Sequence, residues 1–198
     1  GVTGWGEMVA FEEPVYSSET VQTALHAVRD FLGPALFTAP IGSLGEMAAR
    51  FARFRGHNMA RASLELAFAD LSARILGQSL SKFLGGTRER VEVGVSLGIQ
   101  PTVEGLVERV DRYLSLGYRR IKLKIKPGLD IDIVARVRER YPDILLSVDA
   151  NSAYTLDEID RLKLLDGFNL LMIEQPLHHD DLVDHAKLQS VIRHFYLP

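Results

Sequence analysis

The sequence has no cysteine among its 198 residues. That excludes a disulfide framework and any thiolate metal site, and it fits a cytoplasmic setting. No apolar run approaches the ~18 residues of a membrane span, so no membrane partner is expected. Neither sign of charge dominates. The 23 Lys and Arg residues are set against 26 Asp and Glu, for a net charge of -3. This gives no electrostatic reason to bind nucleic acid or an anionic surface. The opening Gly1-Val2-Thr3-Gly4-Trp5-Gly6-Glu7 lacks the basic start and apolar core of a signal peptide. It also lacks an initiator Met, and it reads as beginning inside a strand of something longer.

What is present is ordinary globular composition, 46% hydrophobic and 25% charged, enough to bury a sizeable core. Two regions differ in pattern. Residues 1–86 read mainly as helices. One is capped by Ser17 or Ser18 and stopped by Gly33-Pro34, a second covers residues 44–54, and a third covers 58–76, with Leu64, Ala67, Phe68 and Leu71 on one apolar face. Gly77 ends the third, and Gly85-Gly86 marks a joint. Residues 87–198 alternate instead. Strands are expected at 91–97, 119–125, 144–148 and 170–173, and helices at 102–116, 131–140, 155–165 and 180–192. Strand followed by helix, four times, is the signature of parallel strands in an α/β fold.

Side chains alternate faces along a strand. Val91, Val93, Val95 and Leu97 share one face of the first strand, opposite Glu92, Gly94 and Ser96. Ile121, Leu123 and Ile125 oppose Lys122, Lys124 and Lys126. Leu146 and Val148 oppose Leu145, Ser147 and Asp149. Leu171 and Ile173 oppose Leu170, Met172 and Glu174. A parallel sheet covered on both sides reads as a continuous apolar run. Here one face turns polar toward the C-terminal strand ends, where barrels and open α/β sheets place their active sites. Blander readings exist for each residue alone. The lysine stripe fits a solvated edge strand. Asp149-Ala150-Asn151 fits a helix cap, and Glu174-Gln175-Pro176 fits a loop start. His178 and His179 read as solvent-facing, and Trp5 as core or interface packing. The conjunction on successive strands favours a site.

At these residues the chain resembles the enolase superfamily, in its o-succinylbenzoate synthase and N-acylamino acid racemase branch. Gly4-Trp5-Gly6-Glu7 resembles a strand of the family's capping domain, and residues 60–74 the helix leading from cap to barrel. Residues 93–98 resemble the first barrel strand. Lys122-Leu123-Lys124 resembles the Lys-x-Lys motif of the second, Val148-Asp149-Ala150-Asn151 the metal-ligand motif of the third, and Ile173-Glu174-Gln175-Pro176 that of the fourth. The resemblance implies an α/β fold. Residues 1–86 would be part of an α+β capping domain, and 87–198 the first half of a (β/α) barrel with about four βα units. It implies Mg2+ or Mn2+ on Asp149 and Glu174, and a small-molecule carboxylate as substrate. Lys124 is the implied base, with Lys122 beside it lowering its pKa, and Ser96 and Asn151 are the implied substrate contacts. It also implies a homo-oligomer for the full-length enzyme and a place in menaquinone synthesis. Dipeptide epimerases and muconate cycloisomerases use the same machinery.

Two departures shape the expectations. The family's earlier cap strands precede the point where this sequence opens. Its third acidic ligand and second catalytic lysine belong to strands five and six, whereas here Ser190-Val191-Ile192-Arg193-His194-Phe195-Tyr196-Leu197-Pro198 carries no acid. The chain reads either as a piece of a longer enzyme or as a truncated product with an altered tail after Gln189. On its own it is expected to show little turnover. A non-catalytic structural remnant and a Schiff-base enzyme using Lys124 or Lys126 are the competing functional classes.

Overall fold

The computed structural model describes residues 1–193 and the backbone of the strand Tyr196–Leu197. The chain divides into two compact units, Gly1–Glu89 and Arg90–Pro198. Among the described residues no helix is long and apolar enough to cross a membrane.

The first unit is helical: α1 (Val21–Ala27), α2 (Gly33–Leu36), α3 (Leu44–Phe51), α4 (Asn58–Ile75) and α5 (Leu80–Phe83). Two expectations need correction here. Helix α1 is capped by Thr20, which shares a reciprocal capping box with Thr23, not by Ser17 or Ser18. Gly33-Pro34 does not stop it either. A π-turn over Val28–Leu32 carries the chain into α2, with the Gly33 amide bonded to the Val28 carbonyl. The shifted register accommodates Pro34, which has no N–H to give, in the first turn of the next segment. In α4 the fully buried residues are Ala60, Ala69 and Ala73, while Leu64 and Phe68 are only partly buried against the core of Met47, Phe51 and Leu32.

The Gly4-Trp5-Gly6-Glu7 segment is not a strand, because no ladder partner lies beside it among the described residues. It runs against α4 instead. A Cβ on Gly4 would stand 2.2 Å from the Ala67 carbonyl oxygen, and one on Gly6 1.9 Å from that of Ser63. Only glycine permits that approach. The Trp5 amide donates to Asp70 at 2.9 Å, and the indole is 71% exposed, so it is not part of this chain's core.

The second unit is a parallel sheet in the order β1-β2-β3-β4-β5, formed by Gly94–Leu97, Arg120–Lys124, Leu145–Asp149, Ile173–Glu174 and Tyr196–Leu197. Helices α6 (Val103–Ser115), α7 (Ile131–Arg140), α8 (Ile159–Leu164) and α9 (Leu182–Gln189) follow the first four strands. This is a partial (β/α) barrel of four βα units. The tail, expected to stop where a fifth strand should form, adds two residues paired with β4. Each crossover helix starts at a predictable cap, Thr102 for α6, Asp130 for α7 and Asp181 for α9, and Thr155 closes a capping box before α8. The helices cover one face of the sheet. There Ile121, Leu123, Leu146, Val148 and Ile173 are fully buried and pack with Leu106, Val110, Val134 and Leu162.

Strands β1 and β4 are shorter than their composition suggests. Val91 and Val93 are 69% and 62% exposed and lie before β1 begins, where among the described residues no neighbouring strand pairs with them. Leu171 is 44% exposed and Leu170 buried, so the expected alternation of β4 starts only at Ile173. Ahead of it, single bonds from the Leu171 amide to Leu146 and from the Val148 amide to Met172 tether the segment to β3.

The strand entries are fastened by one side chain. Arg138 of α7 donates through Nε to the Phe168 carbonyl at 2.8 Å and through Nη2 to Asn169 at 3.0 Å. Its Nη1 reaches Tyr141, Pro142 and Ile144 at 3.2, 2.8 and 2.9 Å. Five carbonyls from the approaches to β3 and β4 thus share one planar five-donor group, which no ammonium can replace. Arg138→Lys is expected to lower the unfolding free energy by about 2 kcal/mol, read from the urea midpoint at unchanged slope.

Candidate active site

Register alone stacks the candidate residues in rows. Lys124 of β2, Asp149 of β3 and Glu174 of β4 occupy one row across three adjacent strands. Ser96 of β1, Lys122 of β2 and Ser147 of β3 form the row beneath. Layers of inward side chains from neighbouring strands are how barrel interiors fill. Strand β2 lies between β1 and β3, so the lysine stripe is not a solvated edge. Only Lys126, in the turn after the strand, is exposed in that way.

Five of the six candidate residues meet. Asp149, 1% exposed, accepts from Lys124 at 2.6 Å and from Lys122 at 3.1 Å, both on Oδ2. Lys122 Nζ also donates to Glu174 Oε2 at 2.9 Å. Asn151 Oδ1 accepts from Lys124 Nζ at 2.5 Å, and the Asn151 amide donates to Asp149 Oδ1 at 3.0 Å. Two lysine amines and two carboxyl groups therefore meet in a partly enclosed space. Ser96 stands apart. It is exposed, and among the described residues no hydrogen bond joins its hydroxyl to the cluster. With Lys122, Ser147 and Met172 it lines a concavity of about 330 Å³ on the inner face. His178 and His179 are exposed, as expected, and stack on each other with ring centroids 4.6 Å apart.

The pairing sets the titration of the cluster. For Asp149, burial works against the charged form, yet the hydrogen bonds from Lys124, Lys122 and the Asn151 amide outweigh it and hold the carboxyl below its usual range. For Lys122, burial again favours the neutral form, and Glu174 and Asp149 overcome it and raise the ammonium's pKa. Both groups are thus held charged by each other.

Asp149 and Glu174 offer oxygen donors only, the set that suits a hard divalent cation. The Lys122 ammonium already bridges both carboxylates, which shows that the pair accommodates positive charge. The donor chemistry fits Mg2+ or Mn2+. Among the described residues there is no gathering of three or more His, Asp or Glu side chains able to hold a metal, so these two carboxylates are the acidic donors that the described site offers.

Sequence reasoning missed a second polar cluster beside the site. Asp130, 2% exposed, caps α7 and accepts from the Ile131 amide at 2.7 Å. Arg161 grips it through Nε and Nη2 at 2.6 and 2.7 Å, and the Tyr154 hydroxyl donates at 2.8 Å. An Asp before a helix reads only as a cap, and nothing in the spacing links it to an arginine of the next helix. Burial would raise the Asp130 pKa, but the bonds from Arg161, Tyr154 and Ile131 together hold it below the ordinary value of 3.8. A depressed folded-state pKa stabilises the fold above the unfolded value of about 3.9, and that contribution fades as pH falls through the folded value. Asp130→Asn is accordingly expected to cost about 2 kcal/mol at pH 7, with the gap closing below about pH 4 in chemical unfolding at a series of pH values.

Known proteins bear on this geometry. Residues 1–85 match the mandelate racemase / muconate lactonizing enzyme N-terminal domain, and residues 105–197 the enolase C-terminal domain-like family. An o-succinylbenzoate synthase of Geobacillus kaustophilus is 55% identical over 193 residues, 98% of this chain and 52% of that protein. An N-succinylamino acid racemase of Thermus thermophilus is 49% identical over 96% of this chain and 51% of its own length. The chain spans about half the length of the curated relatives it matches. A solved enolase-superfamily protein from Enterococcus faecalis superposes with a TM-score of 0.95 at 43% identity, covering 99% of this chain and 53% of that one. Muconate cycloisomerase from Pseudomonas fluorescens shares the fold at 22% identity, with a TM-score of 0.89 over 99% of this chain and 56% of that one. With both domain families matched in order along the chain, and the inward row of lysine and carboxylates at the strand ends, this protein belongs to the enolase superfamily.

Proposed function

We propose that this site abstracts the proton α to a substrate carboxylate, in the service of o-succinylbenzoate synthesis or N-acylamino acid racemisation. The observation that carries the reading is the row Lys124–Asp149–Glu174 with Lys122 bridging the two acids. A carbon acid beside a carboxylate is very weak, so a base alone does not suffice and developing negative charge must be met by positive charge. Mg2+ or Mn2+ on Asp149 and Glu174 supplies that charge when bound.

The chain's own residues do the rest. Lys124 stands at the strand end, 30% exposed at its side chain, within reach of a ligand above the sheet. Its amine takes the proton in its neutral form. Enolase-type sites in general pair a lysine or histidine base with Mg2+. Asn151 holds the Lys124 amine on its outer side. The Schiff-base alternative gives Asp149 and Glu174 no role and is set aside on that ground. Relatives of high identity carry both the synthase and the racemase names. A shared base and metal serve either outcome, because both begin with loss of the α-proton.

The test is solvent exchange. In deuterium oxide with Mg2+, the protein is expected to exchange the α-proton of an N-succinylamino acid for deuterium even where net turnover is small, and Lys124→Ala is expected to slow this by about 10³-fold. Absence of exchange from the folded, Mg2+-supplied protein, or a Lys124→Ala variant as fast as the parent, contradicts the proposal.

A further inference from the structure

We infer that Asp130, Tyr154 and Arg161 form a positioning network that sets, through Asn151, where the Lys124 amine stands. The role given to Lys124 rests on the proposed reaction, but the network itself is a matter of geometry. None of the three residues was singled out by sequence, and none reaches the site's inner face.

The loop after β3 takes an unusual path. Asn151 and Ser152 are consecutive non-glycine residues with φ of 44° and 64°, a left-handed conformation that costs free energy and persists only where the surroundings enforce it. Both sides of the loop are enforced. On one side its backbone zips onto the segment after β4. The amides of Ala150, Ser152 and Tyr154 donate to the carbonyls of Glu174, Gln175 and Pro176 at 2.9, 2.7 and 3.0 Å. On the other side the Tyr154 ring, 3% exposed, points its hydroxyl at Asp130 Oδ2.

Asp130 is fixed in turn. It begins α7, just after the loop that leaves β2, and Arg161 from α8 clamps both of its oxygens. The loops leaving β2, β3 and β4 are therefore joined through one buried carboxylate and one tyrosine. The product of that arrangement is the Asn151 side chain. Its left-handed backbone turns Oδ1 onto Lys124 Nζ while its amide holds Asp149 Oδ1. A base displaced by about 1 Å from its line of attack can lose about 10²-fold in rate, so fixing Asn151 fixes something the chemistry depends on.

The experiment needs neither metal nor substrate. The folded protein is acetylated briefly with a small water-soluble reagent, and labelling of Lys124 relative to the exposed Lys126 is read by mass spectrometry of peptides. Losing one hydrogen bond to Asn151 is expected to raise that ratio about fivefold. The same rise is expected in Tyr154→Phe, in Asn151→Ala and in the double variant, because two lesions in one chain of contacts do not add. Faster hydrogen exchange at the Asn151 and Ser152 amides is expected in Tyr154→Phe. Should that variant fail to fold, Arg161→Lys, which replaces a two-toothed clamp on the rim with a single donor, carries the same expectation. An unchanged ratio in the folded variants, or increments that add in the double variant, overturns the network while leaving the proposed reaction standing. Failure of α-proton exchange alongside coupled labelling overturns the reaction alone.

Discussion

The structure of the barrel unit depends on the compensation of charge around Asp149. A carboxylate 1% exposed at the end of a central parallel strand is costly unless it is paired and hydrogen-bonded. Here two lysines from β2 and a backbone amide satisfy it, and Glu174 balances the second lysine. The same strands bury an uninterrupted apolar layer on their other face, with Ile121, Leu123, Leu146, Val148 and Ile173 all at 0% exposure. That layer fixes which way each strand faces, because a slip of one residue would send the lysines into the helices. Hydrophobic burial therefore aims the charges, and the charges then hold one another.

Two polar fasteners keep the strands in place at their two ends. Arg138 gathers carbonyls ahead of β3 and β4, and Asp130 with Arg161 and Tyr154 ties the loops that leave β2 and β3. Each lies where backbone groups or a carboxylate would otherwise be buried without partners, and in each a guanidinium makes several bonds at once. Between these ends the row of site residues has little freedom. This is the order expected of a site built on rigid strands, with side chains behind it holding the reactive ones in place.

Much of this is legible in the sequence, for physical reasons. Period-two alternation in residues 120–126 and 145–149 separates core from site, and the strands' common polarity at their C-terminal ends locates the cluster. Register then places Lys124, Asp149 and Glu174 in one row, as that alternation implies. What escapes is what local pattern does not encode. The valines before β1 and Leu171 before β4 have strand-like composition, but strand length depends on having a neighbour to pair with. Pro34 has the look of a stop, and a π-turn carries the helix past it. Trp5 reads as core or interface packing, and the glycines on either side of it press the backbone onto α4 and keep the ring out of this chain's core. Asp130 and Arg161 lie 31 residues apart with no periodic relation, so their pairing exists only in the folded chain.

Asp149 and Glu174, read as a cation site, have their positive charge supplied by lysine in this structure, and a divalent ion should compete for it. The most direct measurement is unfolding free energy against Mg2+ concentration for the protein and for Asp149→Asn. A cation site gives a gain in the parent that climbs toward about 1.4 kcal/mol per tenfold rise in Mg2+ above the dissociation constant, and the variant loses most of that gain. Equal responses in the two proteins, or no response in either, would contradict the reading.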